Sequence, residues 1–157
     1  VERIAWIMNV ATVLNIPILA TAEDVSADVD MLPRLKALLP QGQSVFNKIV
    51  FSLYGQKDIR DALEVLKRKD LVLVGQETDV CIAQSAIDLV NAGYRVWVAD
   101  DATASPGPHH EAGLRRMRGA GVTVSGIKGI YYEWLRDVPT AIAVETAVNK
   151  TPSDLTL

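Results

Sequence analysis

Apolar residues recur at helical spacing through the opening stretch VERIAWIMNVATVLN, at Ile4, Ile7, Met8, Ala11 and Leu14. That stripe predicts a first helix with one face turned to a core. Pro17 blocks its continuation, and Ile18-Leu19-Ala20 behind it reads as a short buried strand. The segment MLPRLKAL over 31–38 predicts a brief helix. Residues 44–52 place Val45-Phe46 and Ile49-Val50-Phe51 on either side of Lys48, which suggests a strand end and a loop. A helix over 58–68 carries Ile59, Leu63 and Leu66 on one side. Leu71-Val72-Leu73-Val74 is a continuous apolar run, as expected of a central parallel strand covered on both faces. A helix over 80–92 follows, with Gly93 placed to end it. Residues 96–99 predict a strand, 111–120 a helix, 122–124 a strand and 129–136 a last short helix. Beyond Pro139 the periodicity fades, and 139–157 is expected to be an irregular tail.

Strands and helices that alternate with short links predict an α/β fold, a three-layer α/β/α arrangement around a mostly parallel, Rossmann-like sheet. The chain of 157 residues suits one domain over 1–157. In such sheets the chemistry collects at the carboxyl ends of the strands. The series opens with a helix where folds of this kind open with a strand. The expectation is therefore a truncated N-terminus, with a first strand ahead of Val1.

Composition narrows the partners. The net charge of -3 and the scattered Lys and Arg residues give no basis for neutralising nucleic-acid phosphates, so a small-molecule substrate is expected instead. One cysteine excludes an internal disulfide and a multi-thiolate zinc site, and a lone thiol fits a reducing compartment. No apolar run approaches the roughly 20 residues that cross a membrane. A cytoplasmic protein without a membrane partner is the expectation.

Four groups of residues bear on chemistry. Cys81 follows Gly75-Gln76-Glu77-Thr78-Asp79-Val80, a polar turn between the apolar strand and a helix. A free cysteine is as readily a small buried hydrophobe as a nucleophile. A helix start offers unpaired N–H groups that stabilise a thiolate or an oxyanion, with Thr78 or Asp79 as its N-cap. Lys48 either snorkels to solvent or places an ammonium beside the thiol, which would lower its pKa. His109 and His110 open a helix and read as surface residues, although His109 could overhang the active edge. Asp24, Asp28 and Asp30 could ligate a hard cation, but exposed acidic turns are common and no histidine accompanies them. Asp100 and Asp101 end a strand, where capping a turn is the expected role.

The segment GQETDVCIAQSAIDLVNAGYRVWVADDATAS resembles the signature of the isochorismatase-like cysteine hydrolases. The pattern is a Gly-x-x-Thr-x-x-Cys turn, a helix ending in Gly-Tyr, a strand and Asp-Ala. FNKIVFSLYG is similar to that family's lysine loop, and LRRMRGAGVTVSG to its last helix and strand. The resemblance covers residues 4 to 136 and is greatest to short isochorismatase-domain hydrolases of unassigned substrate. It implies a Cys-Lys-Asp triad in which Cys81 attacks an amide-type carbonyl and Lys48 holds the thiolate. It also implies a cis peptide at Gln76-Glu77 and an oxyanion hole from the amides of Glu77 and Cys81. The family's aspartate closes the first strand, upstream of Val1, so no aspartate of this chain takes that role. Nicotinamidases carry an Asp-x-His metal motif, and ATAEDVSADVD has no histidine, which implies no metal and no cofactor. The resemblance further implies a homo-oligomer, dimer or tetramer, with Ile130, Tyr131, Tyr132 and Trp134 in the core or at the subunit interface. Vinyl-ether hydrolysis on the same fold and a catalytically inactive binding subunit remain as alternatives.

Overall fold

The opening stripe folds as α1 (Glu2–Val13), which buries Ala5, Trp6, Ile7, Met8, Val10 and Ala11. The computed structural model describes residues 1–24, 30–148 and 150–157. After α1 the chain runs into β1 (Ala20–Glu23), two residues later than the apolar run suggests. Its position is set by a distant partner. β1 pairs in parallel with β2 (Val45–Lys48), and the register aligns Ala20 with Val45 and Glu23 with Lys48. Between them lies the short α2 (Pro33–Lys36), with its proline in the first turn.

A 3-10 turn over Leu53–Gly55 leads to α3 (Lys57–Leu66), which buries Ile59 and Leu63. Next come β3 (Asp70–Gln76), a π-helical turn over Thr78–Ile82 and α4 (Ala83–Asn91). β4 (Arg95–Ala104), α5 (His109–Gly119), β5 (Thr123–Ser125) and α6 (Ile127–Leu135) follow. The last helix is α7 (Val138–Val148).

All the strand pairings among the described residues are parallel, and they fall into two sheets, β1-β2 and β3-β4-β5. The expected layering holds around β3. Val72 and Val74 pack against the core that holds Trp6, Val10, Ile130 and Tyr131, while Leu71 and Leu73 pack against the one that holds Ile59, Ala86, Leu89 and Leu114. Successive β3 side chains thus feed two cores on opposite faces. Among the described residues β3 pairs with β4 on one side, and residues 71–75 are half-buried.

The expected irregular tail over 139–157 is also corrected, since most of its first half is α7. Asp137 accepts a 2.8 Å hydrogen bond from the Thr140 N–H, the geometry of an N-cap. Pro139 sits in the first turn, where its missing N–H costs nothing. Ala141 and Val144 are buried in the core formed with α1 and α6, and Leu155 and Leu157 pack against the same core. Within it the Trp6 and Tyr131 rings lie 4.9 Å apart between centroids. Ile130 and Tyr131 are core residues, Trp134 is partly buried against them, and Tyr132 is exposed.

Candidate active site

The carboxyl ends of both sheets meet at one thiol. The parallel register brings Glu23 and Lys48 side by side at the ends of β1 and β2. β3 reaches the same place through Gly75, whose φ of 126° is rarely adopted by L side chains, and through a cis peptide between Gln76 and Glu77. The π-helical turn then presents Cys81. The Cys81 thiol donates to Glu23 Oε2 at 3.0 Å, and Lys48 Nζ lies 3.7 Å from Sγ. Lys48 Nζ also donates to Glu23 Oε2 at 3.2 Å and to the Val50 carbonyl at 2.6 Å. Lys48 is only 5% exposed, so its ammonium points inward and does not snorkel.

Five hydrogen bonds hold the nucleophile turn. Thr78 is fully buried, with its hydroxyl 2.9 Å from His110 Nδ1. Ser105 Oγ donates to Asp79 Oδ1 at 2.6 Å and accepts from the Asp79 N–H at 3.3 Å. The Glu77 carbonyl accepts from the Val80 and Ile82 N–H groups. Neither Thr78 nor Asp79 is an N-cap, contrary to expectation, because each side chain is engaged by α5 or by the loop ahead of it. Gly113 explains how α5 comes so close. A Cβ at that position would lie 2.8 Å from Asp79 Cα and 2.9 Å from its nitrogen.

The charges around the thiol compete. Burial pushes the Cys81 thiol up first, and the Glu23 carboxylate adds to this. Lys48 and a backbone hydrogen bond from Glu77 pull the other way without winning. Glu23 is held below the usual carboxylate range, chiefly by the bond from Cys81 and then by that from Lys48. Burial and the nearby anion thus outweigh the ammonium and the backbone N–H, and the thiol is held above its ordinary range.

A cavity of about 290 Å³ opens beside Glu23 and Asp24, walled by Ile49, Val50 and Phe51. Other residues singled out from the sequence lie off the thiol. Besides the His110 contact, His109 Nδ1 sits 3.9 Å from Asp79 Oδ2, beside the turn and not at Sγ. Asp101 Oδ1 accepts from the Ile127 N–H at 2.7 Å while Oδ2 pairs with Arg3, so it caps α6. Asp100 lies 3.9 Å from Arg118. Asp30 pairs with Lys36, Asp24 donates its N–H to the Lys48 carbonyl, and Asp28 lies outside the described residues. Among the described residues no group of three His, Cys, Asp or Glu side chains is gathered to hold a metal ion. No helix among them is long and apolar enough to cross a membrane.

Glu23 is the residue that sequence reasoning missed. The available signal was an acidic side chain at the end of the strand before the lysine strand. Its meaning depends on a parallel register that local pattern does not encode.

Comparison with known proteins agrees with this architecture. The chain is 31% identical over 137 residues to isochorismatase family protein 2A of Dictyostelium discoideum, a match covering 83% of this chain and 68% of that one. Across the Dictyostelium and mammalian relatives it matches, the chain spans 53–68% of their length. In fold it superposes on the MAR1 ribonuclease of Caenorhabditis elegans with a TM-score of 0.84 at 24% identity, covering 99% of this chain and 83% of that one. It also superposes on the octameric YcaC hydrolase of Escherichia coli with a TM-score of 0.81 at 21% identity, covering 93% and 74%. The Isochorismatase domain model matches residues 2–128, and the chain belongs to the isochorismatase domain family.

Proposed function

We propose that the protein is a cysteine hydrolase that cleaves a small amide or related C–N substrate through a thioester. The observation that carries this reading is the Cys81 thiol, held 3.7 Å from a buried ammonium and 3.0 Å from the Glu23 carboxylate, which itself lines a cavity. Cys81 is the nucleophile. Lys48 balances the negative charge that develops as the thiol ionises. The backbone amides of Glu77 and Cys81 form the oxyanion hole for the tetrahedral intermediate. Ile49, Val50 and Phe51 give the substrate an apolar wall. The reaction needs no cofactor or metal in this reading.

The protein works in the cytoplasm as a homo-oligomer, a reading supported by the lone thiol and by the octameric assembly named for the Escherichia coli neighbour. Its substrate is a small molecule and not nucleic acid, in keeping with the net negative charge.

The test is a panel of small primary amides and ureido compounds, with ammonia release as the readout, for the wild type and Cys81→Ala. Release by the wild type that vanishes in the variant is expected. Equal release from both proteins would remove the thioester mechanism.

A further inference from the structure

We infer that Gln56 is a positioning residue for Lys48, its side-chain amide bracketing the lysine's backbone so that the ammonium is delivered to the thiol. The inference rests on the cysteine-hydrolase reading and names the group that sets its cation. Gln56 Nε2 donates to the Asn47 carbonyl at 2.7 Å, and Gln56 Oε1 accepts from the Ile49 N–H at 3.1 Å. One amide thus closes on the residue before Lys48 and on the residue after it. Both bonds engage backbone atoms, so they fix the direction in which the chain leaves β2, and with it the root of the lysine side chain. The tip follows from the same loop. The Val50 carbonyl, next in the chain after Ile49, accepts from Lys48 Nζ at 2.6 Å. The bracket needs a donor and an acceptor on one head, which an amide supplies and a carboxylate or a thioether does not.

Apolar burial does not anchor this loop. Ile49 is 74% exposed and Phe51 is 54% exposed, so its large side chains leave it loose. Its hold is polar instead. The Leu53 N–H donates to Ser85 Oγ at 2.9 Å, Arg60 donates to the Tyr54 carbonyl at 2.7 Å, and the Asp24 N–H donates to the Lys48 carbonyl at 3.0 Å. The Gln56 pair adds the grip on both chain neighbours of the lysine. The Gln56 side chain does not cap α3, while its backbone carbonyl accepts from the Arg60 N–H at 3.1 Å. Replacing the side chain therefore leaves the start of that helix intact. The charged groups facing the thiol are Lys48 from β2 and Glu23 from β1. Around the turn, Asp79 is engaged by Ser105, His110 by Thr78, and His109 lies against Asp79. A Gln56 substitution alters none of these ionisable groups, so its effect on Cys81 passes through the place of the ammonium.

The test compares iodoacetamide alkylation of Cys81 across pH, read by mass spectrometry, in wild type, Gln56→Met, Lys48→Met and the double variant. Methionine has nearly the length of glutamine and keeps neither bond. Below its inflection, alkylation follows the thiolate fraction. Loss of the cation in Lys48→Met should slow it about 10-fold at pH 8. Gln56→Met should slow it about 3-fold, because the bonds to Ser85, Arg60 and Asp24 remain and the ammonium is only partly displaced. In the Lys48→Met background the Gln56 change should add nothing, a result that a general loosening of the fold would not give. Deuterium exchange at the Ile49 amide should quicken in Gln56→Met while circular dichroism matches wild type. A Gln56→Met rate equal to that of wild type, or the same slowing in both backgrounds, would overturn the role of Gln56 and leave the cysteine reading standing. Alkylation needs no turnover, so the hydrolase reading fails separately, on equal ammonia release from wild type and Cys81→Ala.

Discussion

Gly113→Ala offers a sharp test of how the nucleophile turn is held. In an ordinary helix interior the change stabilises by about 1 kcal/mol, because glycine forfeits more backbone freedom on folding. Here the added methyl would lie 2.8 Å from Asp79 Cα, 2.9 Å from Asp79 N and 3.0 Å from the Thr78 carbonyl carbon. Comfortable carbon contacts begin at about 3.5 Å, so the shortfall is about 0.7 Å, and all three atoms are backbone. Neither side can rotate away. Either α5 or the π-helical turn has to move, and overpacking of this kind costs about 1–3 kcal/mol. Taking the upper end for a backbone clash and subtracting the helix gain leaves a net loss of about 2 kcal/mol. For a chain of this length that is a fall in Tm of about 4–8 °C. Gly119→Ala in the same helix is the control: nothing lies within 4 Å of its Cβ position, so it should hold or raise Tm. Thermal unfolding followed by circular dichroism reads both. A Gly113→Ala protein as stable as Gly119→Ala would refute the close packing of α5 on the turn.

Four further outcomes follow from the same geometry. Iodoacetamide alkylation of Cys81 should rise with pH through an inflection above the ordinary thiol value of about 8.5, since the folded protein favours the protonated form. An inflection well below that value would contradict the balance of burial and Glu23 against Lys48. Lys48→Met removes the cation that pulls the thiol down, so its inflection should move higher still and its alkylation at pH 8 should slow. Tyr131→Phe removes a buried hydroxyl with no partner among the described residues and should raise stability by up to about 1 kcal/mol in urea unfolding. Asp101→Ala takes away the cap of Ile127 and one of the two carboxylate partners of Arg3 together, a loss of about 1–2 kcal/mol by the same measurement.

Much of the fold is legible in local pattern because its helices and parallel strands are amphipathic or continuously apolar. α1 and α3 follow their stripes, and the run Leu71–Val74 lies inside β3. α7 escaped because its apolar residues, in VPTAIAVETAV, are not confined to one face. The Asp-Val-Pro-Thr start was a readable helix signal, overshadowed by reading Pro139 as a breaker. In the site, Cys81 and Lys48 stand out through their flanking motifs. Glu23 does not, since its role comes from pairing across 25 residues of chain and from a contact with a third strand's turn. The protonation of the thiol was likewise beyond the sequence, because it is a balance of burial against charges brought together only by folding.

The division of the strands into two hydrogen-bonded sets among the described residues has a consequence for the site. Glu23 and Lys48 ride on β1 and β2, whereas Cys81 rides on the turn after β3. The bonds from the thiol to its two partners thus tie together elements that share no strand ladder, and the site is itself part of what joins them.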